Sequence, residues 1–191
     1  MKTISLLSFL ALTLLLQTGC NSIIAVSSPG PIPENYAART WGGVLDDEGI
    51  ETKSYVNIKQ SDEGFKKAHI VVVCYNGSVL LTGQVPNNEL RNKAPEVVRK
   101  IQKVKRIYNE LSVAGNTSPI VRSNDAWITA KIKTALFASP QVEGYRTKVV
   151  TEHGVVYLMG LANRAEAARI VEVASSSYGV QKVVQLFDLV D

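Results

Sequence analysis

Cysteine and histidine are nearly absent from this 191-residue chain, which has two of each. With only Cys20 and Cys74 available, a disulfide-stapled scaffold is excluded. The histidines, His69 and His153, stand far apart and lack further Cys, His or carboxylate ligands at suitable spacing, so the sequence implies no metal site. A strong charge of one sign is also lacking. Lys and Arg number 21 against 17 Asp and Glu, and without residues 1–19, which hold one Lys and no acid, the net charge falls from +4 to +3. That field is too weak to argue for nucleic acid. No glycine-rich phosphate loop, nucleophile elbow or Cys–His signature is present. The chain therefore reads as a non-enzyme with no catalytic residues, no cofactor and no small-molecule substrate. Its length allows one ordinary domain or two small ones, and 46% hydrophobic with 20% charged residues is ordinary for globular protein.

The first twenty residues point to a compartment. Lys2 precedes an apolar run from Ile4 to Leu16, short of the roughly 20 residues a spanning helix needs but right for a signal peptide. Thr18-Gly19-Cys20 resembles the bacterial lipobox, in which the cysteine is acylated and becomes the mature N-terminus; Gln17 departs from the usual Leu. Asn21 follows, where Asp in enteric-type lipoproteins favours retention in the inner membrane, so export to the outer membrane is implied. The expected organisation is a signal peptide over 1–19, a lipidated N-terminus and proline-bearing tether over 20–45, a first domain over 46–114, a linker over 115–122 and a second domain over 123–191. Cys74 lies in the strand-like run Ile70–Tyr75 and reads as a small buried hydrophobe, with a reactive thiol as the alternative.

The two domains repeat each other. At an offset of 77, Val72, Val73, Gly77, Val79, Leu81, Gly83 and Glu89 meet Val149, Val150, Gly154, Val156, Leu158, Gly160 and Glu166. Identities in one continuous block at one offset indicate internal duplication. Each copy reads helix, strand, strand, helix, strand, an α+β unit with two helices on a three-stranded mixed sheet. In the second copy Ile128, Ile132, Ala135 and Leu136 recur at helical spacing after a cap at Asn124. Lys148–Glu152 and Val155–Gly160 flank a His153-Gly154 hairpin turn, matched by Asn76-Gly77 in the first copy. Ala167, Ile170, Val171, Ala174 and Tyr178 give the second helix one apolar face, and Val180–Val190 closes the unit. In the first copy, Leu90, Ala94, Val97, Val98 and Ile101 mark the second helix and Arg106–Val113 the last strand; Pro95 predicts a kink or a late start. Asp46-Asp47-Glu48 is expected to lie just before a helix and favour its N-terminal dipole, with a cation site as the alternative.

Two αββαβ units with these strand–glycine turn–strand motifs resemble BON domains. A lipobox followed by two of them is similar to the outer-membrane lipoproteins of Gram-negative bacteria associated with division and outer-membrane stress. The second copy carries the likeness best, through Ser123–Thr129 and Val155–Leu161. The osmotically inducible periplasmic proteins share the double domain without the anchor, so Cys20 separates the two.

The first helix of the second domain has an apolar side to spare. At about 100° per residue, Trp127, Ala130, Thr134, Phe137 and Ala138 fall opposite the core-facing residues, flanked by Lys131 and Lys133. Aromatic residues enter the boundary between headgroups and acyl chains, and lysines meet anionic phosphates. Aligning Ile50 with Ile128 puts Gly49, Thr52, Val56 and Lys59 at the matching positions of the first copy, so the fold itself does not demand the aromatics. The resemblance implies the same: lipoproteins of this type bind anionic phospholipid, phosphatidylglycerol in particular, through this helix, and support envelope integrity and recruitment toward division sites. Packing of Trp127 and Phe137 against the first domain or its linker is the alternative. A further patch, Arg99-Lys100-Gln102-Lys103-Lys105-Arg106, reads as a solvated helix face or as a contact for anionic lipid or an acidic envelope protein. The expected location is the periplasmic face of the outer membrane, with an anionic membrane as partner. The rival function is a protein-interaction adaptor for the outer-membrane assembly machinery.

Overall fold

A computed structural model describes residues 40–190. The signal peptide, Cys20 and the tether up to residue 39 lie outside the described residues. The first domain runs α1 (Trp41–Ser61), α2 (Glu63–Lys67), β1 (His69–Tyr75), β2 (Ser78–Val85), α3 (Asn88–Val98) and β3 (Arg106–Val113). The second runs α4 (Pro119–Ala138), a 3₁₀ turn (Gly144–Arg146), β4 (Lys148–Glu152), β5 (Val155–Ala162), α5 (Arg164–Ser175) and β6 (Lys182–Leu189). In each sheet the middle strand pairs antiparallel with its hairpin partner and parallel with the last strand, the mixed sheet the pattern predicts. Short α2 is an addition of the first domain, capped by Asp62 and anchored by fully buried Phe65.

Both leading helices start earlier than their apolar spacing indicated. Thr40 caps α1, its hydroxyl accepting from Gly43 N, so residues 41–45 are helix and not tether. Ser118 caps α4 and Pro119 occupies its first turn, where proline's missing N–H has no helical partner anyway; residues 119–122 are therefore helix and not linker, and Asn124 is not the cap. Each domain buries one side of its leading helix: Asp47, Ile50, Ser54 and Ile58 in α1, and Asp125, Ile128, Ile132 and Leu136 in α4. Ala135, expected on the inner side, is exposed.

The acidic cluster 46–48 lies inside α1 and not before it. Asp47 is buried and reaches the hairpin, where Asn76 N and Gly77 N donate to its carboxylate at 2.8 and 2.9 Å. Asp125 does the same, accepting from His153 N at 2.8 Å and Gly154 N at 2.9 Å. The clamped residues sit at φ 51° and 79° in one hairpin and 54° and 74° in the other. Both central residues at positive φ identify the I′ turn, which suits the strand twist and prefers Asn-Gly. Each leading helix is thus pinned to its own hairpin turn by a buried carboxylate, and α1 adds Glu51, which accepts from Cys74 N on β1 at 2.8 Å.

Pro95 does not delay α3, since the helix is capped by Asn87 and runs through Pro95 to Val98. Proline leaves the carbonyl four residues before it without an N–H. That carbonyl, of Arg91, accepts instead from the side-chain amide of Asn109 on β3, at 2.9 Å.

The two sheets pack through the faces their helices leave free. Along β2, Val79, Leu81 and Val85 point to α1 and α3, while the alternating residue Leu80 joins Tyr75, Tyr157, Met159 and Leu186 in a core shared by both domains. Along β5, Val156 and Leu158 serve the second domain's own core. Every residue of β2 is buried, as expected of a strand covered on both faces. Polar contacts close the edges of this interface. Gln84 Nε2 donates to buried Glu152 at 2.9 Å, and Thr117 Oγ1 donates to Gln84 Oε1 at 2.5 Å. His69 Nε2 lies 3.3 Å from Glu152, and Arg106 pairs with Asp188 at 3.2 Å. Lys148 pairs with Glu51 of α1 and donates to Cys74 O at 3.1 Å.

Candidate functional site

Helix α4 presents its outer side to solvent. Trp127 is 55% exposed and Phe137 81% exposed, and Ala130, Lys133, Thr134 and Ala138 are exposed with them. The domains meet through their sheets, and both aromatic residues keep more than half of their surface in solvent. Lys131 is half-buried because its stem lies against aromatic rings, its ammonium 4.4 Å from the Trp127 ring centroid and 5.5 Å from that of Tyr178. The Thr134 hydroxyl donates to Ala130 O at 2.9 Å, which satisfies it within the helix and leaves its methyl group to the surface.

Three residues join this side that the helical spacing alone did not mark. Ile120 is exposed and sits two turns before Trp127 on the same side, so the stripe from Ile120 to Ala138 is about 27 Å long at 1.5 Å per residue. The heptad interval to Trp127 was the available signal, hidden by the later helix start. Tyr178 was expected on the apolar face of α5; that helix ends at Ser175 and Tyr178 is 81% exposed. Tyr145, on the 3₁₀ turn, is exposed on the other flank. Its hydroxyl donates to Glu143 at 2.6 Å, and that bond, followed by partial desolvation, raises its pKa. A recess of about 510 Å³ opens beside Phe137, lined by Lys133, Thr134, Gly144, Tyr145, Thr147 and Lys148.

The first domain uses the matching positions differently. Lys59, the counterpart of Phe137, folds back to donate to Phe65 O at 2.8 Å and Ala68 O at 2.7 Å. Its partial burial lowers its pKa. A position that serves the fold in one domain is left bare and aromatic in the other.

The second basic patch is not a helix face. α3 ends at Val98, and residues 99–105 form the connection to β3. Several of its cations are answered within the chain: Arg99 by Glu96 at 2.6 Å, Lys103 by Asp46 at 2.7 Å and Arg106 by Asp188. Cys74 is fully buried, with its thiol 3.2 Å from Asp47. Burial, and then the Asp47 contact, push that thiol far above its ordinary pKa, the opposite of an activated cysteine. Among the described residues no three His, Cys, Asp or Glu side chains stand close enough to hold a metal ion, and no helix is long and apolar enough to cross a membrane.

Comparison with known proteins agrees with this architecture. The BON domain model matches twice, over residues 46–115 and 124–191. The outer membrane lipoprotein DolP of Haemophilus influenzae is 33% identical over 184 residues, spanning 95% of this chain and 94% of that protein. A 21 kDa hemolysin of Actinobacillus pleuropneumoniae is 36% identical over 152 residues, 80% of this chain and 78% of its own. The osmotically-inducible protein Y of Escherichia coli is 28% identical over 145 residues, 74% of this chain and 72% of its own. The chain belongs to the BON-domain family, and within it to the dual-domain outer-membrane lipoproteins.

Proposed function

We propose that the protein is anchored by an acylated Cys20 on the periplasmic face of the outer membrane. Its second domain binds anionic phospholipid, phosphatidylglycerol in particular, through the outer side of α4. Engagement supports outer-membrane integrity and recruitment toward the division site. The observation that carries the reading is the bare stripe on α4: Trp127 and Phe137 stand in solvent beside Lys131 and Lys133, although the buried side of the same helix already completes the core. Exposed aromatics rimmed by cations are the composition of an interfacial membrane helix. An acyl anchor adds to this, since it raises the local concentration of a second, weaker membrane site.

The test is vesicle co-sedimentation of the chain carrying Cys20→Ser, which removes the acyl group. Binding to phosphatidylglycerol vesicles that exceeds binding to phosphatidylcholine, and is lost in Trp127→Glu, supports the reading. Equal binding to both vesicles, or none, refutes it. A protein-interaction adaptor for outer-membrane assembly proteins is the second reading. It draws on Trp41, 88% exposed, and on exposed Leu45 one turn later in α1. An aromatic protein interface would respond little to salt, whereas attraction to anionic lipid weakens as salt rises.

A further inference from the structure

We infer that Lys131 and Tyr178 decide which headgroup the α4 surface accepts: the Lys131 ammonium occupies a cation slot between the Trp127 and Tyr178 rings, offering charge to an anionic headgroup while closing the slot to a headgroup that brings its own ammonium. The inference rests on the reading of α4 as a lipid-binding surface and adds its selectivity.

The slot has two walls from different elements. Trp127 lies one turn before Lys131 on α4, and Tyr178 comes from the turn after α5. That turn is pressed against α4 by Gly179, at φ +96°, where an added Cβ would lie 3.0 Å from Ile128 Cδ1. A side chain at position 179 would push the tyrosine wall away from the helix. The ammonium stands 4.4 and 5.5 Å from the two ring centroids, within the roughly 6 Å over which a ring face attracts a cation. Lys66, Lys93, Lys103 and Lys148 each pair with a carboxylate. Among the described residues none pairs with Lys131, whose charge is held by rings alone.

Two rings around a cation are also the arrangement that recognises choline-like quaternary ammonium groups. Here the protein supplies the cation. A phosphatidylglycerol headgroup brings a phosphate and no positive charge, so it meets the Lys131 ammonium without competition. A choline or ethanolamine headgroup brings a second cation to a filled slot and is repelled. Lys131 thus contributes attraction toward one class and exclusion of the other, and exclusion requires Tyr178.

The experiment uses the Cys20→Ser chain with Lys131→Met, Tyr178→Leu and the double variant, on phosphatidylglycerol and phosphatidylcholine vesicles. A second arm follows the Trp127 indole NMR signal during titration with choline chloride. These side chains are partly or largely exposed, and circular dichroism checks each fold. Lys131→Met is expected to lose about fivefold in phosphatidylglycerol binding, the effect of one basic residue near an anionic surface. It is also expected to gain phosphatidylcholine binding and a choline-dependent shift of the Trp127 signal. Both gains disappear when Tyr178→Leu is added. Proportional loss on both vesicles with no choline shift, or gains that survive in the double variant, overturns the inference. Failure of the wild type to bind phosphatidylglycerol strikes the underlying reading instead, and the choline arm judges the slot without any membrane.

Discussion

Replacing Asp125 by Ala removes the acceptor that pins α4 to its hairpin. The carboxylate is buried and takes two backbone N–H donors, from His153 at 2.8 Å and Gly154 at 2.9 Å. Hydrogen bonds to a charged group contribute about 1.5–3 kcal/mol each, and a buried donor left unpaired carries its full desolvation penalty. The Gly154 bond is buried, whereas the His153 bond is partly exposed and water can replace the carboxylate there. The expected total is therefore about 3 kcal/mol, near the lower end for two such bonds. For a folded unit of this size that corresponds to a Tm lower by about 6–12 °C. Asp125→Asn keeps one oxygen for one of the two donors and is expected to lose about half as much. Asp47→Ala should act similarly on the first domain, where the carboxylate holds the Asn76 and Gly77 amides. Because both sheets contribute to one shared core, each variant should lower a single thermal transition followed by circular dichroism. A Tm for Asp125→Ala within about 2 °C of wild type, or an Asn variant as damaged as Ala, would refute the clamp.

Three further outcomes follow from the packing. Leu80→Ala, in the core between the sheets, is expected to cost about 2–5 kcal/mol; denaturation by urea checks this, and a loss below 1 kcal/mol, or separation into two transitions in the wild type, would contradict a shared core. Asn109→Ala leaves the Arg91 carbonyl without its side-chain donor and is expected to cost about 1 kcal/mol, a loss that Pro95→Ala in the same background should largely restore by returning the helical N–H. Burial holds the Cys74 proton in the folded state, so unfolded chain loses that proton at pH values where folded chain keeps it. Stability is then full below the ordinary thiol pKa of 9.0 and falls as pH rises past it. Cys74→Ser should flatten the slope between about pH 8.5 and 10, and a thiol reagent should label native protein only after unfolding; rapid native labelling would refute the buried neutral thiol.

The duplication, the order of elements and the I′ turns were legible because they are local or periodic. Asn76-Gly77 specifies positive φ by its own chemistry, and Ile128, Ile132 and Leu136 declare an inner face through spacing alone. Most of the α4 stripe was legible for the same reason, since residues opposite a known core face must point outward on a single helix. Periodicity failed where a side chain's fate depends on a neighbour distant in sequence. Tyr178 matched the apolar period of α5, but the helix ends at Ser175, and the ring lies beside Lys131 of α4 instead. Asp47 looked like a helix-start carboxylate until the hairpin amides arrived to meet it. Pro95 looked disruptive because its compensating donor, Asn109, belongs to strand β3.

The face-to-face union of the sheets left a signal in the near-continuous apolar runs Ile70–Tyr75 on β1 and Val155–Ala162 on β5, where a strand with one wet face would alternate. What the sequence by itself determined is two αββαβ units, each with a helical face and a hairpin of defined geometry, since these follow from rotation per residue and backbone chemistry. Only the tertiary structure decided that the units share a core through their sheets, which leaves the helices outermost and the Trp127, Lys131 and Tyr178 group in solvent. Which of two apolar faces is buried depends on the partner surface that covers it, and that surface is assembled from residues far apart along the chain.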